Sequence, residues 1–149
     1  MRRILTACVA SALASLGILL SSSGAAAADF SGTWAISGTL GDPVIVTATP
    51  NCTFQQDGDK ISGTCKGPNA TGSVDGMVDG STITWNWHAV PITARGLGGV
   101  ATFKGVLGAD GTLSGTWTHS AVDGVAGKFS AQRQVQTQPS PATSPAPAM

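Results

Sequence analysis

The chain contains no glutamate and no tyrosine, and only 11% of its residues are charged. Every side-chain carboxylate is therefore one of eight Asp. Five of them stand directly before Gly (Asp57, Asp75, Asp79, Asp110 and Asp123), which is the chemistry of tight turns. Asp42 and Asp59 also read as turn residues, and Asp29 lies close to the expected mature terminus. Carboxylates in exposed turns keep ordinary acidity and have no pocket around them, so no catalytic residue is assigned and an enzyme is not expected. Three cysteines and two histidines are too few and too scattered for a metal centre, because Cys52 and Cys65 have only the distant His88 and His119 to join them. No cofactor is expected. Leu is sparse and no segment carries a helical period, which excludes a helix bundle.

The first residues read as an address. Arg2 and Arg3 form a positive start, an apolar run extends from Ile4 to Leu20, and Ala26-Ala27-Ala28 offers a small-residue cleavage site before Asp29. Residues 1–28 are read as a signal peptide cleaved after Ala28, which places the mature protein in a secreted or periplasmic compartment. Arg2, Arg3 and Cys8 leave with it. Six Lys and Arg then face eight Asp, a net charge of −2, which excludes a basic nucleic-acid surface. No other apolar run is long enough to span a membrane. Cys52 and Cys65, an even pair in an oxidising compartment, read as a disulfide. At the other end, residues 136–149 hold four prolines and no charge, the composition of a disordered tail.

Between these segments, residues 29–135 are rich in Gly, Thr and Val and alternate in polarity, with Asp-Gly turns between the stretches. Eight strands are predicted: Gly32–Ser37, Val44–Gln56, Lys60–Lys66, Thr71–Val78, Thr82–Ala89, Val100–Leu107, Thr112–His119 and Gly127–Arg133. The second is long and is expected to bend at Pro50, which lacks a ladder donor. A hairpin tip at Gly58-Asp59 sets Cys52 opposite Cys65, Phe54 opposite Gly63 and Gln56 opposite Ile61, so the turn and the disulfide support each other. Placing Val78 opposite Ile83 sets Gly76 opposite Trp85. The same parity brings all four Trp to one face, together with Ile36, Phe103, Leu113 and Phe129. His88 falls on the outer face.

An apolar face shared by eight strands is closed off from water by rolling into an antiparallel up-and-down barrel. Tight Asp-Gly turns follow the second, fourth and sixth strands. The connections Gly38–Pro43, Val90–Gly99 and Ser120–Ala126 gather at the other end, where binding is expected.

Gly32-Thr33-Trp34 in the first strand, with Arg133 in the last, resembles the calycin superfamily of lipocalins and avidins. The order of Ser31-Gly32-Thr33-Trp34, Ser62-Gly63-Thr64-Cys65, Trp85-Asn86-Trp87, Phe103-Lys104-Gly105 and Thr116-Trp117 is most similar to the avidins. The resemblance implies that Gly32, Trp34 and Arg133 are structural, with Arg133 packed over Trp34 at the closed end. It also implies that Trp87, Phe103 and Trp117 stand where biotin-contacting aromatics stand. The polar half of that site is replaced here by Ile36, Cys65, Gly67, Ala101 and Lys128, so an aromatic pocket is implied without the partners of a ureido ring.

Parity adds His119 to the pocket side at the loop end, and Arg95 lies in a loop near the same mouth. The expected function is an exported, non-enzymatic binding protein for a small apolar or aromatic ligand, contacted by Trp87, Phe103, Trp117 and His119. Two alternatives stand beside it. One is a protein-binding module such as a barrel-type proteinase inhibitor, with Asp29-Phe30-Ser31 as a short trunk. The other is an envelope-associated domain tethered by the tail. Whether the interior is hollow and which oligomer forms stay open.

Overall fold

Alternating side chains and frequent Asp-Gly turns leave the backbone one way to satisfy itself, by pairing each strand with its neighbour. The structure, a computed structural model, describes residues 26–41 and 46–135. Most of the expected leader (residues 1–25) and the Pro-rich tail (residues 136–149) lie outside the described residues. Nine strands follow in order: β1 (Gly32–Leu40), β2 (Val46–Ala48), β3 (Asn51–Asp57), β4 (Lys60–Lys66), β5 (Ala70–Asp79), β6 (Thr82–Pro91), β7 (Gly99–Leu107), β8 (Thr112–His119) and β9 (Val122–Arg133). Every pairing is antiparallel. β9 also pairs with β1 (Trp34↔Arg133 through Thr39↔Lys128), which closes the sheet into a barrel. β2 and β3 form one stave, so the barrel has eight. No helix among the described residues is long and apolar enough to cross a membrane.

The expected register holds in the β3–β4 hairpin, where Cys52↔Cys65, Phe54↔Gly63 and Gln56↔Ile61 are partners. Cys52 and Cys65 form a disulfide and are fully buried. At the tip Gly58 has φ +63°, and at the β5–β6 tip Gly80 has φ +60°; both lie in the left-handed region that glycine enters without steric cost.

Alternation puts the apolar residues inside. Cross-strand rows then mix large and small side chains. In one row Gly76, Trp85, Phe103, Trp117 and Gly127 are successive partners. In the row towards the sealed end, Phe129 stands between Gly115 and Gly38. Glycine beside each ring makes room for it in a narrow interior. Trp85 and Phe103 stack at 4.8 Å, Phe103 and Trp117 at 5.4 Å, and Phe54 and Phe129 meet Trp85 edge-on. Each such pair contributes about 0.5–1.5 kcal/mol beyond its buried area. The middle of the barrel is thus a packed core.

One end is sealed. The tight turns β3–β4, β5–β6 and β7–β8 lie there, and the segment before β1 crosses beneath the core. Phe30 is fully buried, its N–H donates to Gln56 Oε1 and its carbonyl accepts from Trp34 Nε1. Ala28 donates to the Gly80 carbonyl and accepts from Gln56 Nε2.

The expected boundaries fail in four places. β1 runs on to Leu40, where a loop from Gly38 was expected, because Gly38 finds partners on both sides (Ala48 and Phe129) and Leu40 is buried. The expected second strand is two strands. Asn51↔Lys66 is the last pair with β4, and beyond the buried Pro50 β2 pairs only with β1. The long connection expected over Val90–Gly99 is shorter, since β6 continues to Pro91, opposite Ala70. Ser120–Ala126 is not an open loop either. His119 pairs with Val122 across a two-residue turn, and a bulge in β9 takes up the extra residues before Gly127 pairs with Trp117.

Candidate functional site

The end opposite the sealed turns holds a cavity of about 110 Å³. Its floor and one wall come from alternation on β6, β7 and β8, which turns Trp87, Ala89, Ala101, Trp117 and His119 inward. The opposite wall comes from the break at Pro50. There the upper half of the second stave (Val46–Pro50) follows β1, while the β4–β5 turn (Gly67, Pro68, Asn69) belongs to the neighbouring hairpin. Both border the cavity, and Arg95 and Leu97 of the β6–β7 connection complete its rim.

Three of the four residues expected to contact a ligand are brought together here. Trp87 (6% exposed), Trp117 (2%) and His119 (7%) line the cavity. Phe103 does not line it. It lies one layer deeper, sandwiched between the rings of Trp85 and Trp117, where it supports the floor. Arg95, also considered from the sequence, does border the mouth. The signal that sequence reasoning missed is the second stave, whose residues 46–50 enter the site only because Pro50 ends the ladder with β4.

The polar groups of the site have defined partners. Trp117 Nε1 donates to the Thr39 carbonyl at 3.2 Å. His119 Nδ1 accepts from the backbone N–H of Ala121 at 3.1 Å, which leaves the proton of the neutral ring on Nε2. Burial holds the His119 imidazole below its ordinary pKa, so the neutral ring is favoured. Trp85 Nε1 and Trp87 Nε1 are buried and have no acceptor among the described residues. The Trp87 nitrogen lies beside Gly72, and the far edge of its ring is turned toward Gly67 at the rim.

At the sealed end, the Arg133 guanidinium lies 5.0 Å from the Trp34 ring centroid and donates to the Asp29 carbonyl. Gly32, at the start of β1, has φ +111°. These three residues stand far from the mouth, at the other end of β1 and β9.

Two carboxylates expected in turns lie elsewhere. Asp123 is in β9. Asp75 is in the middle of β5 on the outer face, hydrogen-bonded to His88 and Asn86 of β6, and Asn86 in turn accepts from Thr102 of β7 at 2.9 Å. The His88 contact, then that of Asn86, holds the Asp75 carboxyl below the ordinary range. Asp29 and Asp110 are lowered likewise, first by the backbone N–H groups of Ser31 and Thr112. The register that pairs Val78 with Ile83 already sets Asp75 opposite Asn86 and diagonal to His88. This network sits on the exposed outer face and ties β5, β6 and β7 together. Among the described residues no three His, Cys or Asp are grouped to hold a metal ion.

Chemically, the mouth offers two indole walls, small alanines between them and one neutral imidazole. Among the described residues no carboxylate lines it. No protein-family model matches the chain, and comparison with curated proteins finds no match.

Proposed function

We propose that this is an exported, non-enzymatic binding protein that takes a small apolar or aromatic molecule at the open end of its barrel. The observation that carries the reading is the cavity of about 110 Å³ walled by Trp87 and Trp117 above a filled core. An engineered apolar cavity of roughly 150 Å³ takes up a single benzene ring, so this one suits one ring or a short branched chain. Export is supported by the buried Cys52–Cys65 disulfide, since such bridges persist in oxidising compartments. A calycin-like origin rests on the Gly32-Thr33-Trp34 strand and on Arg133 over Trp34.

The inhibitor reading needs a trunk free to enter a protease. Asp29, Phe30 and the preceding Ala28 are instead held by Arg133, Gln56, Trp34 and Gly80, which favours the carrier. Titrating the protein with one-ring aromatic probes while following Trp fluorescence tests the proposal. Saturable quenching or a spectral shift, lost in Trp87→Ala, is expected. No response to any probe at concentrations up to solubility overturns it.

A further inference from the structure

We infer that the mouth selects, among molecules of that size, rings that carry a hydrogen-bond acceptor, received by His119 Nε2–H. The inference rests on the binding reading above and adds the chemistry of the ligand to it.

Size and shape set the first limit. Indoles on two sides and alanines at 70, 89 and 101 make a narrow apolar slot, which admits one planar ring. Polarity sets the second. Among the described residues His119 is the one buried polar side chain of the core, and it borders the slot. Its Nδ1 is occupied as an acceptor by Ala121, so the ring presents a donor and not a second acceptor. No acceptor for Nε2–H is found among the described residues. Trp117, the neighbouring donor, is already bound to Thr39, and the Trp87 N–H is buried beside Gly72, away from the rim. The slot therefore has the His119 donor to satisfy, and an apolar ring alone leaves it unmet. A ligand seated in the slot covers this N–H from water, and one that supplies an acceptor keeps it paired. A carbonyl oxygen or a ring nitrogen serves. A hydrocarbon of the same shape does not.

Acetophenone and α-methylstyrene make the test, because they differ by C=O against C=CH₂ with the shape kept. Both are titrated calorimetrically at about pH 8, where the imidazole is neutral, into the unsubstituted protein and into His119→Phe and His119→Gln. His119→Phe is expected to weaken acetophenone about tenfold and to change α-methylstyrene by less than about twofold. His119→Gln, whose amide restores a donor, is expected to recover acetophenone binding at least in part. Equal weakening of both compounds by His119→Phe, or no weakening of either, overturns the inference and leaves the apolar-ligand reading in place. Binding of α-methylstyrene alone does the same. Binding of neither compound to the unsubstituted protein overturns both. Benzoate bound more tightly than acetophenone assigns recognition to the Arg95 guanidinium and also overturns the inference.

Discussion

Gly38 lies directly beneath the indole of Trp117. A β-carbon built at position 38 stands 2.8 Å from Trp117 Nε1 and 3.2 Å from Phe129 Cβ. Trp117 is a rigid ring that forms part of the cavity wall, with Phe103 stacked behind it and the cavity as the open space beside it. Gly38→Ala is therefore expected to break the Trp117–Thr39 hydrogen bond and push the indole into the cavity. Overpacking of this kind costs about 1–3 kcal/mol. The expected result is a lower urea midpoint together with at least about a tenfold loss of affinity for a one-ring probe, near 1.4 kcal/mol. Loss of stability with unchanged affinity would separate Gly38 from the site.

Cys52 and Cys65 close a loop with a sequence separation of 13, at directly opposed, buried positions. On the chain-entropy account a loop near that length stabilises by about 3 kcal/mol. Cys52→Ala/Cys65→Ala, or reduction by dithiothreitol, is expected to lower the unfolding free energy by about 2–4 kcal/mol. Chemical denaturation with and without reductant measures it, and coincident curves would contradict the expectation.

The sealed end and the mouth are expected to respond separately. Phe30→Ala removes a fully buried ring and leaves a cavity, at a cost of about 3–5 kcal/mol. Arg133→Ala removes the guanidinium from the Trp34 face, at a cost of about 1 kcal/mol at an exposed position. Neither residue borders the cavity, so ligand affinity of the folded fraction is expected to stay within about twofold in both variants. Denaturant midpoints and probe titrations on the same samples check this.

His119 gives a pH dependence of defined sign. Its pKa is lowered from 6.5 by burial, so the unfolded chain binds its proton first as pH falls. Stability is then fully present above about pH 6.5, declines as pH drops through that value, and levels off below the depressed folded pKa. Asp29 and Asp75 are lowered from 3.8, so their contribution is lost only further down, as pH falls through their folded values. Arg95 shares the cavity rim. His119→Phe is expected to flatten the first decline in a Tm-against-pH series.

Local chemistry made most of the frame legible. Asp57-Gly58 fixed the hairpin tip, the tip fixed Cys52 opposite Cys65, and period-two alternation then carried Ile83, Trp85, Phe103, Leu113, Trp117 and Phe129 to one face. What escaped the sequence depends on partners far away along the chain. Gly38 extends β1 because Phe129 and Ala48 flank it. β2 parts from the β4–β5 hairpin because Pro50 ends one ladder while Gly38–Leu40 continues another. The β9 bulge arises because β9 must meet β8 and β1 at once. For the site, the avidin resemblance implied Trp87, Phe103 and Trp117, and parity added His119. Phe103 lies deeper than the other three, because alternation tells inside from outside and says nothing of depth along the barrel axis. Asp75 was misplaced because Asp-Gly is a turn signal only where the flanking strands have run out of partners.

The pairing of Trp34 with Arg133 has a practical consequence. The first and last staves lie side by side, so the segment entering β1 and the segment leaving β9 meet the barrel at its sealed pole. Whatever is joined to the chain beyond either point, a support surface or a fluorescent fusion, is attached at the pole opposite the opening.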